Sequence, residues 1–200
     1  MATTKVEQVV EFVRQRGVVR SRDIERMGVS REYLRRLTMN GVVVRIGRGL
    51  YTLPDAEPSA HRSLVEAARL VPHGVVCLLS ALQFHQLTTQ LPREVWLAVD
   101  RRAWKPVSGG PPPRVVKFSG DALTEGVEHH EIEGTPVRIY CPAKTVADCF
   151  KYRNKIGLDV ALEALRDCWR ERKCSMDDLW HYSKVCRVAN VIRPYLETLT

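Results

Sequence analysis

The order of local patterns in residues 4–53 constrains the fold more than any other feature of this chain. The first pattern, over residues 4–16, places valines at the i, i+3, i+4 and i+7 spacing of one helical face, at Val6, Val9, Val10 and Val13. Gly17 follows and suits a helix C-cap. The spacing therefore predicts an amphipathic helix with one buried face.

Two further helices are predicted before residue 41. The first spans residues 22–27 with Ser21 as its N-cap, and the second runs from residue 31 to Asn40 with Ser30 as its N-cap. A short turn that contains Gly28 joins them. Two helices joined by such a turn are typical of a helix-turn-helix, whose second helix enters the major groove of DNA.

A hairpin is predicted directly after the third helix. The strand-like runs Val42–Arg45 and Leu50–Leu53 flank the segment Ile46-Gly47-Arg48-Gly49. Three short helices followed by a hairpin form a winged helix-turn-helix, and the hairpin is its wing.

Arginine is concentrated in this part of the chain. Residues 30–53 contain five arginines and a single acidic residue, Glu32. Guanidinium groups on one helix and on the following wing are suited to phosphate oxygens and base edges. A solvated basic face and a winged helix that binds protein remain as other interpretations. The candidate DNA-binding residues are Ser30, Arg31, Arg35, Arg36, Thr38, Arg45 and Arg48.

The positive charge is unevenly distributed. The net charge is +8, and residues 1–53 hold eleven basic and five acidic side chains, against 20 and 18 in the remainder. This distribution predicts a polyanion-binding module joined to a nearly neutral one. No apolar run of about 18 residues occurs and the first residues lack the apolar core of a signal peptide, so we expect a cytoplasmic protein without a membrane span.

The remainder is predicted to be a mixed α/β domain. Residues 54–58 (PDAEP) are predicted to link a winged-helix domain, 1–53, to a C-terminal domain, 59–200. The fold class is α+β, with a small sheet and a helical C-terminal end. The predicted strands are 95–99, 114–118 and a hairpin around Gly134, and the predicted helices are 59–70, 80–85, 142–152, 158–171, 175–186 and 188–198.

No catalytic or metal site is predicted. The chain lacks a nucleophile elbow, a phosphate-binding glycine loop and a zinc-protease motif. Asp100 ends a predicted strand, but the only Glu-x-Lys triplet, Glu171-Arg172-Lys173, lies at a helix end, which disfavours a metal-dependent nuclease. The six cysteines have no zinc-ligand spacing and are expected to be reduced, buried thiols. We expect no cofactor.

Trp104 is the aromatic residue with two open interpretations. It lies between Arg101-Arg102 and Lys105-Pro106 in a predicted loop. An exposed tryptophan among cations could contact a partner, or the ring could fold back over the sheet.

Three segments together resemble the AbiEi antitoxins of bacterial type IV toxin–antitoxin systems. They are RIGRGLYTL in the wing, CLLSALQFHQLTTQLPREVWLAV in the middle of the chain, and IYCPAKTVADCF at a strand-to-helix junction. The resemblance implies a winged helix that binds inverted repeats in its own promoter and represses transcription. It also implies a C-terminal domain that counters a nucleotidyltransferase-like toxin without a stable complex, and no enzymatic activity. Through motif position it assigns DNA contacts to Arg31, Arg35, Arg36, Arg45 and Arg48.

Two alternatives stay open at this point. One is a stand-alone winged-helix regulator whose C-terminal domain senses a ligand. The other is a metal-dependent nuclease that a winged helix targets to DNA. Because one winged helix covers few base pairs, specific recognition is expected to need two copies on a repeated site.

Overall fold

The predicted winged helix-turn-helix is present in the structure, a computed structural model that describes residues 4–55, 61–103 and 113–199. Its helices are α1 (Lys5–Arg16), α2 (Ser21–Arg26) and α3 (Arg31–Met39). Three antiparallel strands complete it in the order β1-β3-β2: β1 (Val19–Arg20), β2 (Val44–Gly47) and β3 (Leu50–Thr52).

The core of this module confirms the helical faces that the spacing predicted. Val9 and Val13 of α1 pack with Ile24 of α2 and with the α3 pair Leu34 and Leu37, and all five are buried. Thr4 caps α1, with its hydroxyl accepting from the Glu7 amide while the Glu7 carboxylate accepts from the Thr4 amide. These two hydrogen bonds pair the Thr4 and Glu7 amides, which have no acceptor within the first turn of the helix.

The predicted N-cap of α2 is wrong by one residue. Ser21 is the first helical residue and Arg20 occupies the cap position, where its amide donates to the Asp23 carboxylate at 3.4 Å. The Ser21 amide donates to the Gly49 carbonyl at 2.9 Å. Pairing of β1 with β3 therefore decides where α2 begins, and sequence spacing carries no information about that pairing.

The rest of the chain continues with α4 (Arg62–Leu70), β4 (Val75–Val76), α5 (Leu78–Phe84) and β5 (Trp96–Asp100). There follow β6 (Arg114–Phe118), α6 (Asp121–Thr124), β7 (Val127–Ile132) and β8 (Thr135–Tyr140). The helical end comprises α7 (Pro142–Lys151), α8 (Arg153–Ile156), α9 (Leu158–Arg170), α10 (Met176–Val185) and α11 (Ala189–Leu196). The α+β class and the helical C-terminal end are as predicted.

A mixed sheet holds strands β4 to β8 in the order β6-β5-β4-β8-β7. Strand β4 pairs parallel with β8 and antiparallel with β5, which in turn pairs parallel with β6. The hairpin between β7 and β8 turns at Glu133 and Gly134, both at positive φ. A two-residue loop with positive φ at both positions matches the twist of the strands it joins, which explains the tight turn here.

The chain divides into two compact units. The first contains the chain up to Pro72 together with His130–Val137, and the second contains His73–Lys105, Pro113–His129 and the chain from Arg138 onward. The division at 1–53, 54–58 and 59–200 into separately acting domains stays a prediction. Residues 56–58 of the predicted linker and the whole Trp104 side chain lie outside the described residues.

Buried polar contacts explain several side chains of the second unit. The Ser80 hydroxyl accepts from the Trp96 amide at 3.0 Å, and the Thr145 hydroxyl donates to the Tyr140 carbonyl at 3.1 Å. The Lys144 ammonium lies 2.6 Å from the Asp148 carboxylate, and both side chains are buried. Burial raises the pKa of Asp148, while the Lys144 ammonium opposes that rise. Because each charge has a partner, the pair is tolerated inside the core.

Cysteine burial agrees with packing roles for these side chains. Cys77, Cys149, Cys168 and Cys186 are buried, and Cys141 and Cys174 are half-buried. Burial raises the pKa of the Cys77 and Cys149 thiols well above the ordinary value. Across residues 4–55, 61–103 and 113–199, no helix is long and apolar enough to cross a bilayer.

Candidate nucleic-acid interface

Helix α3 is held by its N-cap and by one buried face. The Ser30 hydroxyl accepts from the Tyr33 amide at 3.2 Å, and Leu34 and Leu37 anchor the helix in the core. The Thr38 hydroxyl donates to the Leu34 carbonyl at 2.9 Å. Ser30 and Thr38 thus make local contacts that stabilise α3, while the Ser30 hydroxyl keeps its donor and the Thr38 hydroxyl keeps acceptor capacity.

The outward ridge of α3 consists of Glu32, Arg35, Arg36 and Met39, all of them exposed. Their i, i+3, i+4 and i+7 spacing places them on one helical face. With Ser30 and Tyr33 they line a shallow groove of about 480 Å³. The Arg36 guanidinium stacks over the Tyr33 ring, 4.8 Å from its centroid, which restricts the directions in which it can reach.

Two members of this ridge, Glu32 and Met39, are not among the candidate residues predicted from the sequence. The Met39 side chain is 75% exposed. Their spacing from Arg35 could have predicted their position, because Glu32, Arg35 and Met39 recur at helical intervals and therefore share one face of α3. An acidic side chain in the major groove accepts from the cytosine amino group, and an apolar one contacts the thymine methyl group.

Arg31 does not extend freely from α3. Its Nε donates to Glu25 Oε1 at 2.5 Å, although 82% of the Arg31 side chain is exposed. The hydrogen bond to Glu25 raises the pKa of Arg31. Since an exposed ion pair is weak, a nearby phosphate can compete with Glu25 for this guanidinium.

The wing presents the two arginines that the sequence assigned to it. Gly47 pairs with Leu50, so Arg48 and Gly49 form the turn between β2 and β3. Arg48 is exposed, and the Arg45 Nε donates to the Gly47 carbonyl at 3.1 Å. Gly49 has φ +71°, which allows this short turn with an arginine at its tip. Arg45 and Arg48 line a second shallow hollow of about 330 Å³ beside the wing.

Both surfaces therefore carry exposed cations on secondary-structure elements of one winged helix. Arg35 and Arg36 project from the helix that this fold places in the major groove, and Arg48 projects from the wing. Such an arrangement is suited to a nucleic-acid duplex, since helix side chains reach base edges while wing side chains reach phosphates.

A known protein family matches the winged helix but not the rest of the chain. Residues 7–54 match the family model described as "Transcriptional regulator, AbiEi antitoxin". The AbiEi resemblance is thereby confirmed over the helix-turn-helix and wing. No curated protein matches the chain.

The whole chain is similar to a protein of known structure. It is the crystal structure of the RV2827C protein from Mycobacterium tuberculosis, with a TM-score of 0.63 and 14% identity, and the match covers 100% of this chain and 81% of that one. At this identity the likeness shows a shared fold. The AbiEi match ends at residue 54 and assigns no family to residues 55–200.

The structure places no metal-binding group in the part of the chain that it describes. There, no three His, Cys, Asp or Glu side chains converge closely enough to hold an ion. The Asp100 carboxylate accepts from the Arg102 amide at 2.7 Å, and His181 Nε2 lies 2.7 Å from the Glu125 carboxylate. These side chains therefore have local partners.

Proposed function

We propose that this protein is a DNA-binding transcriptional repressor and the antitoxin of a type IV toxin–antitoxin pair. The single observation that carries the proposal is the AbiEi-type winged helix whose outward α3 ridge and wing both expose arginines. In this proposal the module at residues 1–53 binds inverted repeats in the protein's own promoter, in the cytoplasm, and autoregulates the operon.

Each candidate residue has a distinct role in the proposed complex. Arg35 reads a base edge, Arg36 and Arg31 contact the backbone on either side of the groove, and Arg45 and Arg48 hold phosphates at the wing. Ser30 and Thr38 position α3 through their local hydrogen bonds. Glu32 and Met39 complete the base-facing ridge.

Residues 59–200 are proposed to counter the toxin. The expected partner is a nucleotidyltransferase-like toxin, opposed without a stable complex and without catalysis by the antitoxin. Growth of cells that express the toxin from the neighbouring gene should be restored by the full chain and by the Arg35→Ala/Arg36→Ala variant, because toxin control and DNA binding lie in different parts of the chain.

Mobility shift with the full chain on its own upstream DNA tests the proposal. The wild type should form a retarded complex that a shuffled duplex does not displace, and Arg35→Ala/Arg36→Ala should abolish it. Arg166→Ala is the matched control, since Arg166 is an exposed arginine on α9. Equal binding by the double variant and the control would refute the proposed interface.

The second candidate function is a regulator whose C-terminal part senses a ligand. It is favoured by a cavity in the second unit that Lys117, Lys151, Lys184 and Arg187 line.

A further inference from the structure

A cavity of about 420 Å³ lies in the second unit beside the end of β6. Its cationic lining is drawn from separate elements, with Lys117 on β6, Lys151 at the end of α7, Lys184 on α10 and Arg187 just after α10. Phe118 and Val185 add apolar wall. This cavity plays no part in the winged-helix interface.

The charges in the cavity do not cancel. Asp121 and Asp148 are its acidic lining residues. Asp148 is already neutralised by Lys144 at 2.6 Å, and its second oxygen accepts from the Cys186 thiol at 3.1 Å. Four lining cations against Asp121 leave a surplus of about three positive charges in one concave site.

Three of the lining cations, Lys151, Lys184 and Arg187, have exposed side chains. Within the described part of the chain, no carboxylate forms a salt bridge with Lys151, Lys184 or Arg187. The Lys117 ammonium donates to the Asp100 and Ala103 carbonyls, which fixes its position and leaves one of its three donors.

The end of α10 holds Arg187 beside the cavity. Arg187 has φ +59° and the Val188 amide donates to the Ser183 carbonyl at 2.8 Å, so Arg187 is the left-handed residue that closes the helix. This cap places its cation at the concave site. Like charges gathered at one site repel one another, and an anionic ligand would relieve that repulsion.

We propose that this cavity binds a phosphorylated small molecule through its phosphate groups. The surplus charge matches a di- or triphosphate, and the volume lies in the range of small-molecule sites. A nucleotide and inorganic pyrophosphate share this chemistry. The proposal goes beyond DNA binding and stands on residues outside the winged helix.

Isothermal titration of the full chain at fixed ionic strength tests it. The probes are a nucleoside triphosphate, pyrophosphate and the unphosphorylated nucleoside. We expect saturable binding of the first two and none of the nucleoside. Tighter binding of the triphosphate than of pyrophosphate would identify a nucleotide as the source, and equal binding would identify inorganic polyphosphate.

Amino-acid substitutions distinguish binding in this cavity from nonspecific attraction of an anion to the basic protein. Lys184→Gln/Arg187→Gln should weaken binding about tenfold or more, since two charge-assisted contacts are lost. Arg166→Gln, which removes an exposed charge outside the cavity, should leave it unchanged. Circular dichroism confirms that both variants are folded.

Three results would overturn the proposal. They are the absence of saturable binding, equal losses in the cavity variant and the Arg166 control, and displacement of the triphosphate by the operator duplex. The last would mean that the cavity belongs to a DNA-binding surface. Loss of DNA binding by the α3 variant leaves this test unaffected, so the two proposals fail separately.

Discussion

Arg35 and Arg48 both have exposed guanidinium groups. Because one lies on a helix and the other in the wing, we expect them to contact different parts of a DNA duplex. Arg35 projects from the ridge of α3 and Arg48 from the two-residue turn of the wing. A helix in the major groove meets donor and acceptor patterns that differ among base pairs, whereas a wing meets a uniform backbone. Substitution of the two arginines should therefore have different signatures.

Arg35→Ala should cost about 1–3 kcal/mol of binding free energy at one base position and relax specificity there. Arg48→Ala should weaken binding to operator and random duplexes alike and reduce the salt slope of the affinity by about one unit. Mobility-shift titration at two salt concentrations measures both effects. If the two variants behave alike on both duplexes, α3 does not read bases.

The buried pair of Lys144 and Asp148 makes a second residue-scale prediction. Lys144→Met leaves the Asp148 carboxylate buried without its ammonium and should destabilise the protein by about 3–5 kcal/mol. Lys144→Met/Asp148→Leu removes both charges and should recover most of the loss. Urea denaturation of the two variants provides the comparison, and a double variant as unstable as the single would contradict it.

The decrease in folding stability caused by Lys144→Met should also depend on pH. Burial already raises the pKa of Asp148, and removal of the ammonium that opposes this rise moves it further up. A carboxyl group with a folded pKa above its unfolded pKa loses folding stability as the pH rises from the unfolded to the folded value. Lys144→Met should therefore be less destabilised near pH 5 than near pH 8. The double variant should show no such difference.

At the scale of elements, the β7–β8 hairpin depends on Gly134. Its φ is +63°, and a Cβ atom there would lie 2.5 Å from the Gln15 carbonyl oxygen of α1. Helix α1 and residues 130–137 belong to the same unit, so the hairpin tip and α1 are packed too closely for any side chain. An alanine would meet both backbone strain and a steric clash.

Gly134→Ala should lower the free energy of unfolding by more than the roughly 1–2 kcal/mol that the left-handed conformation alone costs. Gly28→Ala is the matched control, because Gly28 has φ +80° but no atom within 4 Å of the added Cβ. Thermal unfolding followed by circular dichroism distinguishes them. Equal losses would mean that α1 moves aside without cost.

Several elements show how far local patterns predict the fold. Helix α3 and the hairpin at Gly134 were predicted because capping residues, apolar spacing and turn glycines act over a few positions. Helix α5 begins at Leu78, two residues before the predicted start, since the preceding strand is only Val75–Val76. The short helices α6 and α8 were not predicted, because four residues are too few to show a helical period.

At the scale of the whole molecule, the first unit extends beyond the winged helix. Arg69 on α4 donates to Asp23 at 3.3 Å and to the Thr135 hydroxyl at 2.8 Å. Arg62 donates to the Thr52 hydroxyl at 2.7 Å. These contacts join α2 and β3 to residues that lie outside 1–53, so the winged-helix module is stabilised by later parts of the chain.

A chain that ends after residue 55 should therefore be less stable than one that ends after residue 72, by about 1–3 kcal/mol, because the half-buried Asp23 carboxylate loses Arg69. Chemical denaturation of the two fragments measures the difference. Arg69→Met in the longer fragment is the control and should reproduce most of the loss. Identical midpoints for the two fragments would show that residues 1–55 hold their own fold.

The sequence by itself determined the winged helix, the arginine content of its helix and wing, and the α+β class, since caps, turns and apolar periods are properties of neighbouring residues. Only the tertiary structure decided which distant side chains share a surface. Arg69 with Asp23, Lys144 with Asp148 inside the core, and the cations around the β6 cavity are examples. Their proximity depends on how strands and helices pack, and no local spacing encodes that packing.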